Sequence, residues 1–379
     1  MSNVPKLRFK EFSDRVKLTK LNDVVELISG QHLTPEEYQN TENDAPYFTG
    51  PSDYTNDLQF VTKWALKKSK VALKDDVLIT VKGSGVGELF YLSLNNVVIG
   101  RQLMAIRAKE ASSKIIYQLL SLRKNTFQAL ASGNMIPGLS RQDILSQKLN
   151  LPSYKEQEKI ASFLTTIDIK REQLTCKEQL LQQYKKSIMQ KIFNQEIRFK
   201  AEDGSEFCEW EENKLGEICS IKKGSQLNKD TLTEIGDYPA LNGGINPSGY
   251  TTDWNTEANT ITISEGGNSC GYVNFVRTRF WSGGHNYSLQ ELENTINPKY
   301  LYQYLKFNEL NIMKLRVGSG LPNIQKSAIS SFNINILCIE EQTKIANFLS
   351  SIDSKIEQVQ KQLNFTKEFK KALLQQMFV

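Results

Sequence analysis

Histidine is almost missing from this sequence and cysteine is sparse: 379 residues hold only His32 and His285, and the five cysteines, Cys176, Cys208, Cys219, Cys270 and Cys338, are widely scattered. Without a CxxC pair there is no zinc-site spacing, and a disulfide framework of the small secreted kind is excluded. Two histidines so far apart leave no Ser-His-Asp arrangement to propose. No run approaches the ~18 apolar residues of a membrane helix, and the opening stretch lacks the apolar core of a signal peptide, so a cytoplasmic location is expected.

Catalytic motifs are also lacking. Gly83-Ser84-Gly85-Val86-Gly87 has neither G-x-G-x-x-G nor Walker spacing and reads as a turn between strands. Asn297-Pro298-Lys299-Tyr300 departs from the Asn-Pro-Pro-Tyr form of adenine methyltransferases at its third position and reads as a helix start with proline in the first turn. No paired acids precede a lysine at nuclease spacing. No catalytic residue and no metal ligand is therefore expected.

Excess positive charge is absent from the second half. The net charge of +5 divides into +5 for residues 1–150, +4 for 151–200, −5 for 201–335 and +1 for 336–379. Six acids in one short stretch, Glu202, Asp203, Glu206, Glu209, Glu211 and Glu212, account for the negative segment. Charge alone gives no reason to expect a nucleic-acid partner.

What the chain does have is an internal duplication. Glu156-Gln157-Glu158-Lys159-Ile160-Ala161-Ser162-Phe163-Leu164-Thr165-Thr166-Ile167-Asp168 recurs as Glu341-Gln342-Thr343-Lys344-Ile345-Ala346-Asn347-Phe348-Leu349-Ser350-Ser351-Ile352-Asp353, at an offset of 185 residues. Tyr184–Phe193 matches Phe369–Phe378 at the same offset without a gap, and upstream Gly133 and Pro137 meet Gly318 and Pro322. An offset of 184 pairs Gly87 with Gly271, Gly100 with Gly284, and Val77–Thr80 with Ile261–Ser264. Lys20-Leu21 and Gly30 correspond to Lys214-Leu215 and Gly224, and Arg8-Phe9-Lys10 to Arg198-Phe199-Lys200.

Both copies end in a heptad stripe. Ile160, Ile167, Leu174, Leu181 and Ile188 mark the first, and Ile345, Ile352, Val359 and Leu373 the second, which predicts two long helices zipped along a coiled-coil seam. Ser153 with Glu156 offers a capping box, and a helix from about 154 to 194 would span ~60 Å. Short β-rich runs at 76–81 and 260–263, divided by Gly- and Asn-rich turns, and shorter helices at 114–130 and 298–315, make each half a mixed domain. The expected fold class is α+β: two pseudo-repeated mixed α/β domains at 1–150 and 198–335, separated by two long antiparallel helices at 151–197 and 336–379.

The twice-present Glu-Gln-x-Lys-Ile-Ala-x-Phe-Leu-x-x-Ile-Asp signature resembles the conserved regions of type I restriction-modification specificity subunits. So does Lys214-Leu215-Gly216-Glu217-Ile218 followed by Gly224, whereas Lys20-Leu21-Asn22-Asp23-Val24 departs from that form. The resemblance covers nearly the whole chain. It implies two target-recognition domains that each read a half-site of double-stranded DNA, with the helices as spacer. It also implies two modification (methyltransferase) subunits and restriction (translocase/nuclease) subunits as partners. No cofactor is then expected on this chain: S-adenosylmethionine, ATP and magnesium belong to those partners. The alternative is a coiled-coil scaffold whose globular domains bind protein or carbohydrate.

Base reading uses side chains that fork onto purine edges, arginine or lysine for guanine and asparagine or glutamine for adenine. Lys82, Ser84, Arg101 and Gln102 are the candidates in the first domain. In the second, Asn268 aligns with Ser84, and His285 and Asn286 with Arg101 and Gln102; Lys223 is a further DNA-binding candidate, as a phosphate contact rather than a base reader. Each is equally a residue type that forms surface turns. Lys222-Lys223 and Lys67-Lys68 with Lys70 read as phosphate contacts or solvated charge.

Overall fold

The computed structural model describes residues 5–67, 69–132, 138–318, 320 and 322–378. Lys68, and the Gly133 and Pro137 members of the upstream match, lie outside them. The chain divides into two compact units, Met1–Leu174 with Gln362–Val379, and Thr175–Lys361.

In the first unit a four-stranded sheet runs in the order Val25–Ser29, Leu103–Ala108, Val77–Thr80, Leu89–Tyr91, each neighbour antiparallel. The second unit repeats it with Ser220–Lys223, Asn286–Gln290, Thr260–Ser264 and Val273–Val276. A two-stranded ribbon opens and closes each domain, Lys17–Lys20 with Lys148–Leu151 and Glu211–Lys214 with Asn333–Ile336. The domains differ in a further sheet, five-stranded in the first unit and three-stranded in the second, although a parallel pair is common to both.

Glycines fix two repeated features. Gly87 and Gly271 hold φ of +85° and +89°, and the amide of each returns to its sheet, to the carbonyls of Thr80 and Ser264. At Gly30 and Gly224 a Cβ would sit 2.1 Å and 2.3 Å from a backbone oxygen of the facing turn, so only glycine lets these strands meet.

The long helices are Tyr154–Phe193 and Ile339–Phe378. Seven of the nine seam residues are buried, while Leu181 and Ile188 are half-buried. The outer parts of the stripe do more than zip helices together. Ile160, Leu164 and Ile167 join Leu373, Leu374, Met377 and Phe378 in the core of the first domain. Met189, Ile192 and Phe193 join Ile345, Leu349 and Ile352 in the core of the second. Within each unit the two helix segments run antiparallel, as Lys370 Nζ to Asp168 Oδ1 at 2.6 Å and Asn150 to the Phe378 carbonyl show in the first. In the second, Lys185 Nζ reaches Asp353 Oδ1 at 2.6 Å and Gln360 donates to Glu178.

The duplicated signature residues make duplicated bonds. Glu156 takes Arg8 through both carboxylate oxygens at 2.8 and 2.6 Å, as Glu341 takes Arg198 at 3.3 and 2.9 Å. Gln157 accepts from the Ser112 amide and Gln342 from the Asn297 amide, each tying a helix start to its domain. Asp168 accepts from Gln118 as well as Lys370, and Asp353 from Gln303 as well as Lys185. Phe9 meets Phe163, and Phe199 meets Phe348, edge-on. The duplicated motif is thus a clamp closing each domain onto its helix pair.

Three local expectations are corrected. Glu156 takes Arg8 through both oxygens, and no bond joins it to Ser153 among the described residues, so the Ser153–Glu156 capping box is not made. The helix expected at 114–130 is two, Ser113–Ser121 and Lys124–Ala131, broken where Arg123 turns its guanidinium to Gln147 and to the Lys148 carbonyl. That expected at 298–315 is Pro298–Phe307 and Glu309–Met313, broken at Asn308, whose amide donates back to the Tyr304 carbonyl.

Candidate nucleic-acid interface

Strand direction gathers the candidate residues at one sheet end. In the first unit Val25–Ser29 and Val77–Thr80 finish where Leu103–Ala108 begins. The turns leaving that end carry Lys82, Ser84, Arg101 and Gln102, all exposed. A bond from the Val81 amide to the Gln102 carbonyl, 2.7 Å, joins the two turns. The opposite end of Leu103–Ala108 leads to Ser112, whose amide is held by Gln157 of the long helix. The candidates therefore sit at the strand ends away from that anchor. Lys82, Ser84 and Arg101 make no side-chain hydrogen bond or ion pair among the described residues.

In the second unit the same end carries Lys223, Asn268 and His285, also exposed. Here the glycine register slips by one residue relative to the expectation. The Gly100 amide bonds the Phe48 carbonyl and the Gly100 carbonyl accepts from Leu103; Gly283 does the same with Leu241 and Asn286. Gly283, rather than Gly284, is thus the counterpart of Gly100. Gln102 corresponds to His285, and Arg101 to Gly284. Asn286 occupies the place of Leu103, is 3% exposed, and donates its side-chain amide to Ser282 Oγ at 3.1 Å. It holds the turn together from inside the strand.

Sequence reasoning missed the residue on which this end of the second domain converges. Glu265, 8% exposed, accepts from Lys223 Nζ at 2.6 Å and from the Tyr287 hydroxyl at 3.0 Å through Oε1. Its Oε2 lies 3.6 Å from His285 Nδ1 and has no hydrogen-bond partner among the described residues. Burial, followed by the bond to Glu265, pushes the Tyr287 hydroxyl up to about 12, so it stays a donor. The only hint in the sequence was an acid following the strand-like Thr260–Ser264 run, where the first domain has Val81.

Among the described residues no group of three or more His, Cys, Asp or Glu side chains is placed to hold a metal ion, and no helix is long and apolar enough to cross a membrane.

A duplicated α+β domain, clamped in each unit through a twice-used motif to a pair of long-helix segments and presenting different polar turns at one strand end, defines a recognition protein with two unlike domains. The model of the type I restriction modification DNA specificity domain matches residues 14–183 and again 208–365, and the chain belongs to that family. It is 33% identical over 171 residues to a protein named as a type I specificity subunit of Mycoplasma pneumoniae, and 31% to one of Mycoplasma genitalium. These matches span 45% of this chain and 45% and 44% of theirs, under half the length of either relative. With the MjaVIII type I restriction enzyme specificity subunit of Methanocaldococcus jannaschii it shares 22% over 94% of its own length and 91% of that protein's. The crystal structure of a type I restriction-modification system S subunit from M. genitalium has the same fold, with a TM-score of 0.71, 21% identity and 99% of both chains covered.

Proposed function

We propose that this chain selects the DNA sequence for a type I restriction-modification complex. Each domain reads one half of a split, asymmetric site, and partner subunits carry out adenine methylation and cleavage. One observation supports this most directly: the two domains share sheet order, clamp and glycine turns, yet differ at the strand end where Lys82, Ser84, Arg101 and Gln102 face solvent in one and Lys223, Asn268 and His285 in the other. A common frame with unlike polar turns suits two different half-sites read by donors to base edges. Family membership favours this reading over a scaffold for protein or carbohydrate.

The first long helix begins in one unit and ends in the other without interruption, which supports its role as a spacer. S-adenosylmethionine, ATP and magnesium are assigned to the partners. The helices also support two copies of one modification subunit. Leu180 and Tyr184, 59% and 50% exposed, recur after 185 residues as Phe365 and Phe369, 71% and 43% exposed and stacked 6.0 Å apart. An apolar pair left in water on both copies is what a partner bound twice requires.

The test is co-expression with cognate modification subunits followed by genome-wide methylation sequencing. A split motif is expected, and exchanging residues 1–150 for those of another specificity subunit should alter one half of it. Methylation without sequence preference, or both halves altered by the exchange, refutes the proposal.

A further inference from the structure

The duplication supplies an internal control for the Glu265 cluster. Matching hydrogen bonds place Glu265 on Val81, since their amides bond the carbonyls of His285 and Gln102 respectively. Strand pairing places Lys223 and Tyr287 on Ser29 and Met104. One frame therefore folds around Ser29, Val81, Gln102 and Met104, the other around Lys223, Glu265, His285 and Tyr287. Val81 is 1% exposed, so the first copy shows that this position is satisfied by an apolar side chain. A carboxylate there loses hydration, and one of its oxygens recovers no hydrogen bond, a cost with no counterpart in the first domain. The same position in the first copy is filled by an apolar side chain; what Glu265 adds is control over the two exposed groups beside it, with side chains 52% exposed at Lys223 and 61% at His285.

We propose that Glu265 is a positioning residue for specificity, fixing Lys223 and His285 as a pair that reads one guanine in the half-site of the second domain. Lys223, anchored on Oε1, turns its remaining N–H groups outward, toward guanine O6 and N7. In its doubly protonated form His285 donates Nδ1–H to Oε2, the free acceptor, and closing that 3.6 Å gap aims its Nε2–H at the same base. Val81 gives the first domain no such anchor, so its Arg101 and Gln102 act without one. This inference rests on the DNA-reading function proposed above.

The experiment uses the chain assembled with its modification subunits, and reads base preference position by position in the methylated motif. The second half-site is defined as the half that changes when residues 198–335 are exchanged. Glu265→Val copies the first domain, and Glu265→Gln keeps the shape while removing the charge. Both are expected to relax discrimination at one G·C pair of the second half-site by tenfold or more, with the first half-site unchanged and the melting temperature not lowered. Lys223→Met and His285→Ala should relax the same pair. Wild-type discrimination in both Glu265 variants overturns the proposal, as does relaxation spread over both half-sites, the mark of a loosened fold. A wild-type complex that methylates without sequence preference refutes the function itself, before any variant is compared.

Discussion

Removing the carboxylate of Glu341 should destabilise the second unit by about 2–3 kcal/mol, below the ~3–5 kcal/mol typical of breaking a fully buried ion pair. The Glu341 side chain is wholly buried and its partner Arg198 is 17% exposed, so Glu341→Ala strands a cation that water barely reaches. The discount arises because Arg198 keeps two other acceptors, the carbonyls of Cys208 at 2.8 Å and Phe207 at 3.4 Å. In the first unit the two Arg8 bonds both go to Glu156, so Glu156→Ala should cost more, about 3–4 kcal/mol. For a unit of about 190 residues each kcal/mol corresponds to roughly 2–4 °C of melting temperature. Hydrogen exchange under native conditions can assign each loss to its own unit, where one global unfolding curve would average them. The double variant Arg198→Met with Glu341→Leu should return to within ~1 kcal/mol of wild type, because no unpaired charge is left. A cost below about 1 kcal/mol for Glu341→Ala, or a double variant as unstable as the sum of its singles, would show that the clamp is ornamental.

Arg101→Ala should weaken discrimination in the first half-site by roughly 1–3 kcal/mol at one base pair and leave the second untouched, as competition binding with half-site variants of the assembled complex can measure. Inserting four helical residues after Leu174 together with four after Lys361 preserves the Asp168–Lys370 and Asp353–Lys185 pairs and adds ~6 Å of helix, so the spacer in the methylated motif should lengthen by about two base pairs. Unchanged spacing in that variant would rule out the spacer role. Phe365→Ser with Phe369→Ser should weaken capture of a modification subunit in size-exclusion assays, whereas equal capture by variant and wild type would count against that surface. Thiol reagents at pH 8 should label Cys176 and Cys208 rapidly, while Cys219, its thiol pushed up to about 12 by burial, and Cys270, raised for the same reason, react only on unfolding. Fast labelling of Cys219 in the native protein would contradict its burial.

The duplication, the helix bounds and the mixed character of each half were legible because they rest on periodicity and on local turn chemistry. Gly283 and Gly284 show where that stops. Two adjacent glycines are interchangeable in an alignment, and only the bonds of Gly283 to Leu241 and Asn286 decide which one turns the chain. The slip carried Asn286 onto the list of readers when its side chain is needed inside the strand. Glu156 was misread for a similar reason: its spacing from Ser153 is local, but Arg8, which claims it, lies 148 residues away. Glu265 showed locally only as an acid after a strand-like run, since its burial comes from strands distant in sequence closing around it.

The second unit is one continuous stretch, Thr175–Lys361, whereas the first needs Gln362–Val379 to be complete, with Leu373, Leu374, Met377 and Phe378 buried in its core. On a ribosome the unit made first must therefore wait, its apolar floor open, until residues 362–378 emerge, while the unit made second can close before it. Cutting the chain shortly after Lys361 would damage the domain that is translated earlier, and a chaperone that shields the early domain during that interval would raise the yield of folded protein.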